Sequence, residues 1–241
     1  MEDCSLHPLD LTLVQRYVAA LKDSHAVWDG SPWAADIVEQ ARVGYANARV
    51  GDENGAIAIG FGLSRLLSEV HPSFYESGLS LTTWEARIDR GIGMLIRPPS
   101  RFFIEAGLDQ TPARTIPIRL DLSRGMMAGA YVPATLIDKL YEHLDGKFER
   151  IVKRMIAAEL DAAAAMTQMW EAVKYARAKK FGLYEAIDAV SPYALDAMPP
   201  SDRVVVFDKK RIDPDLKKRL EVAAKPAKQP SRLGRLMRPR G

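Results

Sequence analysis

Seven arginines lie between Trp84 and Val132 (Arg87, Arg90, Arg97, Arg101, Arg114, Arg119 and Arg124), and no lysine occurs between Lys22 and Lys139. A guanidinium presents a planar fork of donors that engages phosphate or carboxylate through two bonds at once, whereas an ammonium acts as a point charge. If the flanking segments are strands, Arg97 and Arg101 bracket a turn at Pro98-Pro99-Ser100, and Arg119 shares a polar sheet face with Asp121 and Glu105. Arg97, Arg101 and Arg119 are therefore the expected ligand-binding residues. With Phe103 nearby, such a face would suit a phosphorylated or carboxylated small ligand, or single-stranded nucleic acid held by charge and stacking. The competing reading pairs the arginines with Glu and Asp across strands on a solvated face.

A second cationic group closes the chain. Residues 225–241, KPAKQPSRLGRLMRPRG, carry Lys225, Lys228, Arg232, Arg235, Arg238 and Arg240 with three prolines, two glycines and no acid. The whole chain has a formal charge of +3, and six positive charges sit in this stretch, so the preceding 224 residues carry −3. The basic character belongs to the tail alone. A loose basic arm gains affinity for nucleic acid or anionic lipid by releasing counterions. Leu233, Leu236 and Met237 offer only a small apolar face, and Gly234 and the prolines oppose a helix there.

The histidines suggest less. Cys4 and His7 have metal-like spacing, but two further ligands are needed, and the first residues of a chain are more often frayed. His71 precedes Pro72 where a helix should end, a position that suits a dipole partner. His143 lies next to Glu142, but neighbours on a helix diverge by about 100°, so Glu142 cannot orient it; a mixed-charge surface helix is expected. No nucleophile elbow, P-loop, zinc-protease or dinucleotide fingerprint occurs, and no cofactor or metal is expected.

The elements that must carry these residues can be read from periodicity. Leu11, Val14, Val18 and Leu21 mark a helix over 9–22, and Ser31-Pro32 opens a second that runs to about Arg49. Residues 55–70 read as a helix whose glycines admit a close neighbour, with a strand over AIAIGFGL as the alternative. From 84 to 132, short extended segments separated by turn formers read as an antiparallel meander, and TIPIRLDL is its clearest strand. Helical spacing returns over 133–190. It includes one helix of 33 residues from 148 to 180, which would span roughly 50 Å and offer an oligomeric or partner surface. A short helix is expected near 183–190, a turn at AMPPSD, a strand at 204–207, and a charged helix from Pro214 to Ala224.

These readings give an α+β fold: N-terminal helices, a central antiparallel meander with its sheet covered on one side, and a C-terminal long-helix region. Residues 1–224 are expected to form a single domain, and residues 225–241 a disordered basic tail. One cysteine, an acidic start and no apolar run near 18 residues point to a cytoplasmic protein without a transmembrane span. The functional expectation is a non-enzymatic interaction protein. It would meet a protein partner or a second copy through the long helix, and an anionic partner, including nucleic acid, through the tail. The alternative is an enzyme or sensor that binds a small anion on the arginine-bearing sheet.

Overall fold

The computed structural model describes residues 4–76, 80–121, 123–192 and 203–225. Five strands form one mixed sheet: β1 (Cys4–Leu9), β2 (Ser73–Tyr75), β3 (Met127–Val132), β4 (Gly182–Ile187) and β5 (Val204–Val206). Their order is β3-β4-β1-β2-β5, antiparallel except for the β2–β5 pair. With its helices the chain is α+β, and among the described residues no helix is long and apolar enough to cross a membrane.

Helices cover both faces of the sheet rather than one. Alternation along the central strands divides the interior: Leu6, Leu183 and Ile187 join one apolar cluster, and Tyr184 and Ala186 join the other. On the second face lie α1 (Leu11–Lys22), α2 (Pro32–Ala48) and α3 (Glu53–Val70). Each opens on a cap legible in the sequence. Asp10 accepts from Thr12, Ser31 from Ala34 with Pro32 in the first turn, and Asp52 from Asn54 and Gly55. The helical reading of 55–70 holds, and the glycines do bring a neighbour close. A Cβ on Gly55 would run into the Gly44 carbonyl oxygen and the Ala48 nitrogen of α2.

The meander is the main correction. Leu81–Thr83 is the short helix α4, Trp84–Ile88 a π-helical turn closed by Asp89 N–H donating to Trp84 O, and Arg90–Met94 a 3-10 turn. Then follow α5 (Ser100–Glu105) and α6 (Gln110–Thr115). Among the described residues only β3 is a strand there, apart from an isolated bridge between Arg97 and Tyr131. Two signals pointed this way. Trp84, Ile88 and Ile92 are buried at helical spacing, and Pro117 removes a ladder donor from the middle of TIPIRLDL, where Ile118 is 44% exposed.

On the first face the expected 33-residue helix is two. After α7 (Ile137–Gly146) come α8 (Phe148–Ala157) and α9 (Ala162–Lys179), separated where Glu159 adopts a left-handed φ of 58° and Asp161 caps α9 through Ala163 and Ala164. Because α9 lies against the sheet with Ala165, Met169, Ala172 and Val173 buried, the long exposed helix that was to carry an oligomer surface is absent. The expected helix at 183–190 is instead β4, paired on both edges and buried throughout, and β1 is likewise central rather than frayed. A strand covered on both faces loses the polar alternation that sequence reading relies on. The VVVF strand and α10 (Pro214–Ala224), capped by Asp213, stand as read. The AMPPSD turn lies outside the described residues.

Candidate anion-binding groove

The π-helical turn sets the site. By ending at Asp89 it presents a carboxylate that is 3% exposed and is held at the start of the next turn by the Gly91 amide. Three cationic or basic side chains, His143 of α7, Arg150 of α8 and Lys147 between the two helices, converge on it. His143 Nε2 lies 2.6 Å from Oδ2, Arg150 donates to Oδ1 at 3.1 Å, and Lys147 Nζ sits 3.7 Å away. Burial works to raise the Asp89 carboxyl, but the His143 bond, the Gly91 amide and the His143 and Lys147 charges outweigh it and hold the group below the usual carboxylate range. Arg154, one turn beyond Arg150, donates to the Ile88 carbonyl at 2.9 Å.

Helix α8 is strongly two-sided. Phe148, Ile151, Val152 and Met155 enter the core, which leaves Arg150, Lys153 and Arg154 outward. Opposite, α10 buries Leu216, Leu220 and Ala223 and turns Lys218 and Arg219 toward the same space. The groove between them has a volume of about 1000 Å³ and is lined by six cations, Lys147, Arg150, Lys153, Arg154, Lys218 and Arg219, against three carboxylates, Asp145, Glu149 and Asp215. A neighbouring cavity of about 520 Å³ shares Arg150 and Arg154 and adds Arg87 and Arg90. A third, of about 540 Å³, shares Asp215 and Arg219 and adds Lys174 and Arg177.

Several of these cations are held in place. Arg219 lies 4.2 Å from the Phe148 ring and 5.3 Å from that of Trp170, while donating to Asp145 at 2.7 Å. Anchoring of this kind lowers the ordering cost of meeting an anion. The chain leaves α10 at Lys225, three residues after Val222, which itself lines the groove.

The residues expected from sequence to bind a ligand are not gathered on a sheet face. Arg97 turns back on its own loop, donating to Met94 O at 2.8 Å and Ile96 O at 2.7 Å. Arg119 pairs with Glu85 at 2.9 Å, and Glu85 borders the cavity that holds Arg87 and Arg90. Arg101 lines a different, smaller cavity. Of the basic tail, Lys225 ends α10, while Lys228, Arg232, Arg235, Arg238 and Arg240 lie outside the described residues, as does the reading of that stretch as disordered.

The histidine readings change as well. Glu142 does not orient His143, as its angle on the helix required, but Asp89, 54 positions upstream, does. The periodicity of Trp84, Ile88 and Ile92 is the one signal that could have brought Asp89 onto a helix end. His71 ends α3 through its backbone N–H to Leu67, while its ring sits between Phe181 and the Asp10 carboxylate at 3.5 Å. His7 is fully enclosed, bonded by Ser5 at 2.8 Å and Ser73 at 2.9 Å. No cluster of His, Cys, Asp and Glu suited to a metal occurs among the described residues. No protein-family model matches the chain, and neither the curated proteins nor the solved structures contain a significant match.

Proposed function

We propose that this chain docks a phosphate-bearing polyanion, with a nucleic-acid strand the chemistry that fits best, in the groove between α8 and α10. The basic stretch from Lys225 to Arg240 continues the contact. One observation carries the reading: Arg150 and Arg154 belong to two adjoining cavities at once and are oriented by Asp89 and the Ile88 carbonyl. The body of the chain is net negative, so six cations along one groove are not a consequence of composition. Along α8 the row from Lys147 to Arg154 spans about 10 Å at 1.5 Å per residue, a length that meets a few consecutive phosphates. No catalytic step is required, and the role is that of an interaction protein.

The test is fluorescence anisotropy of a labelled single-stranded oligonucleotide with the full chain over a salt series. Affinity should fall as salt rises, by about 0.7 in the log-log slope for each phosphate neutralised. The double variant Arg150→Glu/Arg154→Glu should weaken binding at least ~10-fold and flatten the slope. Deleting residues 226–241 should weaken binding independently. Unchanged affinity in the double variant would overturn the groove as the binding surface, whatever the deletion does.

A further inference from the structure

A separate cavity of about 280 Å³ opens where β1 and β3 end and β4 begins, roofed by α5. Leu9, Phe102 and Pro133 give it apolar walls, and Arg101, Glu105 and Tyr131 line it with polar groups. The Tyr131 side chain is 5% exposed, its ring packed edge-on against Phe102 at 4.8 Å, and its hydroxyl has no hydrogen-bond partner among the described residues. That hydroxyl lines the cavity and is open to solvent, so a ligand atom can take the place of water on it.

Arg101 and Glu105 are one turn apart on α5 yet form no ion pair with each other or with any other described residue. Cation before anion is the weaker order for such a pair on a helix. A positive and a negative group therefore line the cavity one helical turn apart, both solvent-exposed and neither in an ion pair. The volume decides the size of the occupant. Drug-sized ligands take pockets of about 300–1000 Å³, so a nucleotide or large cofactor is too big and a single small metabolite fits. The two charges decide its polarity, since a simple carboxylate would gain Arg101 but also bring its charge toward Glu105, which only a ligand cation offsets.

We propose that this cavity binds a free apolar α-amino acid. Its carboxylate meets Arg101 and accepts a hydrogen bond from the Tyr131 hydroxyl, its ammonium donates to Glu105, and its side chain rests against Leu9, Phe102 and Pro133. The site shares no lining residue with the α8–α10 groove and stands or falls apart from it.

Isothermal titration of the full chain with L-leucine and with L-phenylalanine tests this. Saturable binding in about the millimolar range or tighter is expected. Arg101→Met and Glu105→Gln should each weaken it about tenfold, as should removing one ligand charge in N-acetyl-L-phenylalanine or L-phenylalaninamide. Tyr131→Phe should weaken it by a smaller factor, and oligonucleotide affinity should be the same in all three variants. The proposal is overturned by no binding of either amino acid up to about 10 mM. It is equally overturned by 3-phenylpropionate binding as tightly as L-phenylalanine, or by affinities that ignore both charge substitutions.

Discussion

The two helical layers that flank the sheet treat positive charge in opposite ways. In the α1–α3 layer, Arg65 and Arg42 spend donors on backbone carbonyls, although Lys22, Arg42 and Arg49 also meet carboxylates. Arg65, 2% exposed, donates to Ala189 O at 2.6 Å, lies 4.2 Å from the Trp33 ring, and is lowered to about 10 by burial. Arg42 donates to the carbonyls of Ala20 and Ala26. In the α7–α10 layer the cations are held at the rim by carboxylates, and Asp89 alone serves His143, Arg150 and Lys147. A guanidinium buried on an orphan carbonyl, as Arg65 is, is part of the fold, while an exposed one at the rim, whether it shares a carboxylate as Arg150 does or bonds a carbonyl as Arg154 does, retains donors for a ligand. Abundance of arginine in a stretch says nothing about which of these will hold.

The same contrast appears in the two titratable groups buried on opposite faces of the central strands, and it yields the largest expected effects. His7 is lowered to about 3, first by burial and then by the Arg65 charge. The unfolded chain therefore binds this proton from about pH 6.5 downward while the folded chain does not. Stability is full above 6.5 and is lost as pH falls toward 3, by about 1.4 kcal/mol per unit and on the order of 5 kcal/mol in all. Urea midpoints should drop along this limb, and His7→Asn should remove the slope whatever it costs at neutral pH.

Glu185 on β4 behaves in the reverse sense. Burial pushes it up to about 7, although the Thr82 and Ala130 amides and the Thr82 and Ser80 hydroxyls pull it back. Here the folded state keeps its proton longer, so the contribution is present below about 4.5 and is lost as pH rises through 7, on the order of 3 kcal/mol. Between about 4.5 and 6.5 the two slopes oppose each other. Hence His7→Asn should expose a stability that falls with rising pH, and Glu185→Gln one that rises. If both variants show the parent profile, the two groups do not titrate as described.

Packing sharpens the comparison at a smaller scale. Gly55→Ala drives a methyl into the Gly44 carbonyl of α2 and should cost about 1–3 kcal/mol in urea unfolding, with oligonucleotide affinity of the folded fraction unchanged. Asp89→Asn should cost about 1–2 kcal/mol and also weaken oligonucleotide binding, by about threefold, as Arg150 and Lys147 lose their anchor. A loss of affinity in Gly55→Ala equal to that in Asp89→Asn would erase the proposed division between the layers.

Much of the fold was legible where the determinants are local. Ser31-Pro32 and Asp213-Pro214 announce α2 and α10, and Leu11 to Leu21 announce α1, because a capping side chain and an apolar stripe act within a few residues of themselves. Asp161 holds the same kind of signal for α9, within a continuous apolar stripe. The candidate site was far less legible. Of its cations, Arg87 and Arg90 lie in the arginine set, while Arg150, Lys153, Arg154, Lys218 and Arg219 carry no spacing that sets them apart from other helical cations.

By itself the sequence determined that the chain folds as α+β, that α1, α2, α3 and α10 start where they do, and that six positive charges without an acid follow the body. Tertiary structure alone decided that Cys4–Leu9 pairs with Gly182–Ile187 at the centre of the sheet, because strands buried on both faces carry no alternation to read. It also decided that Asp89 meets His143 and Arg150. Those encounters join residues more than fifty positions apart, where no local propensity reaches and only packing brings the charges together.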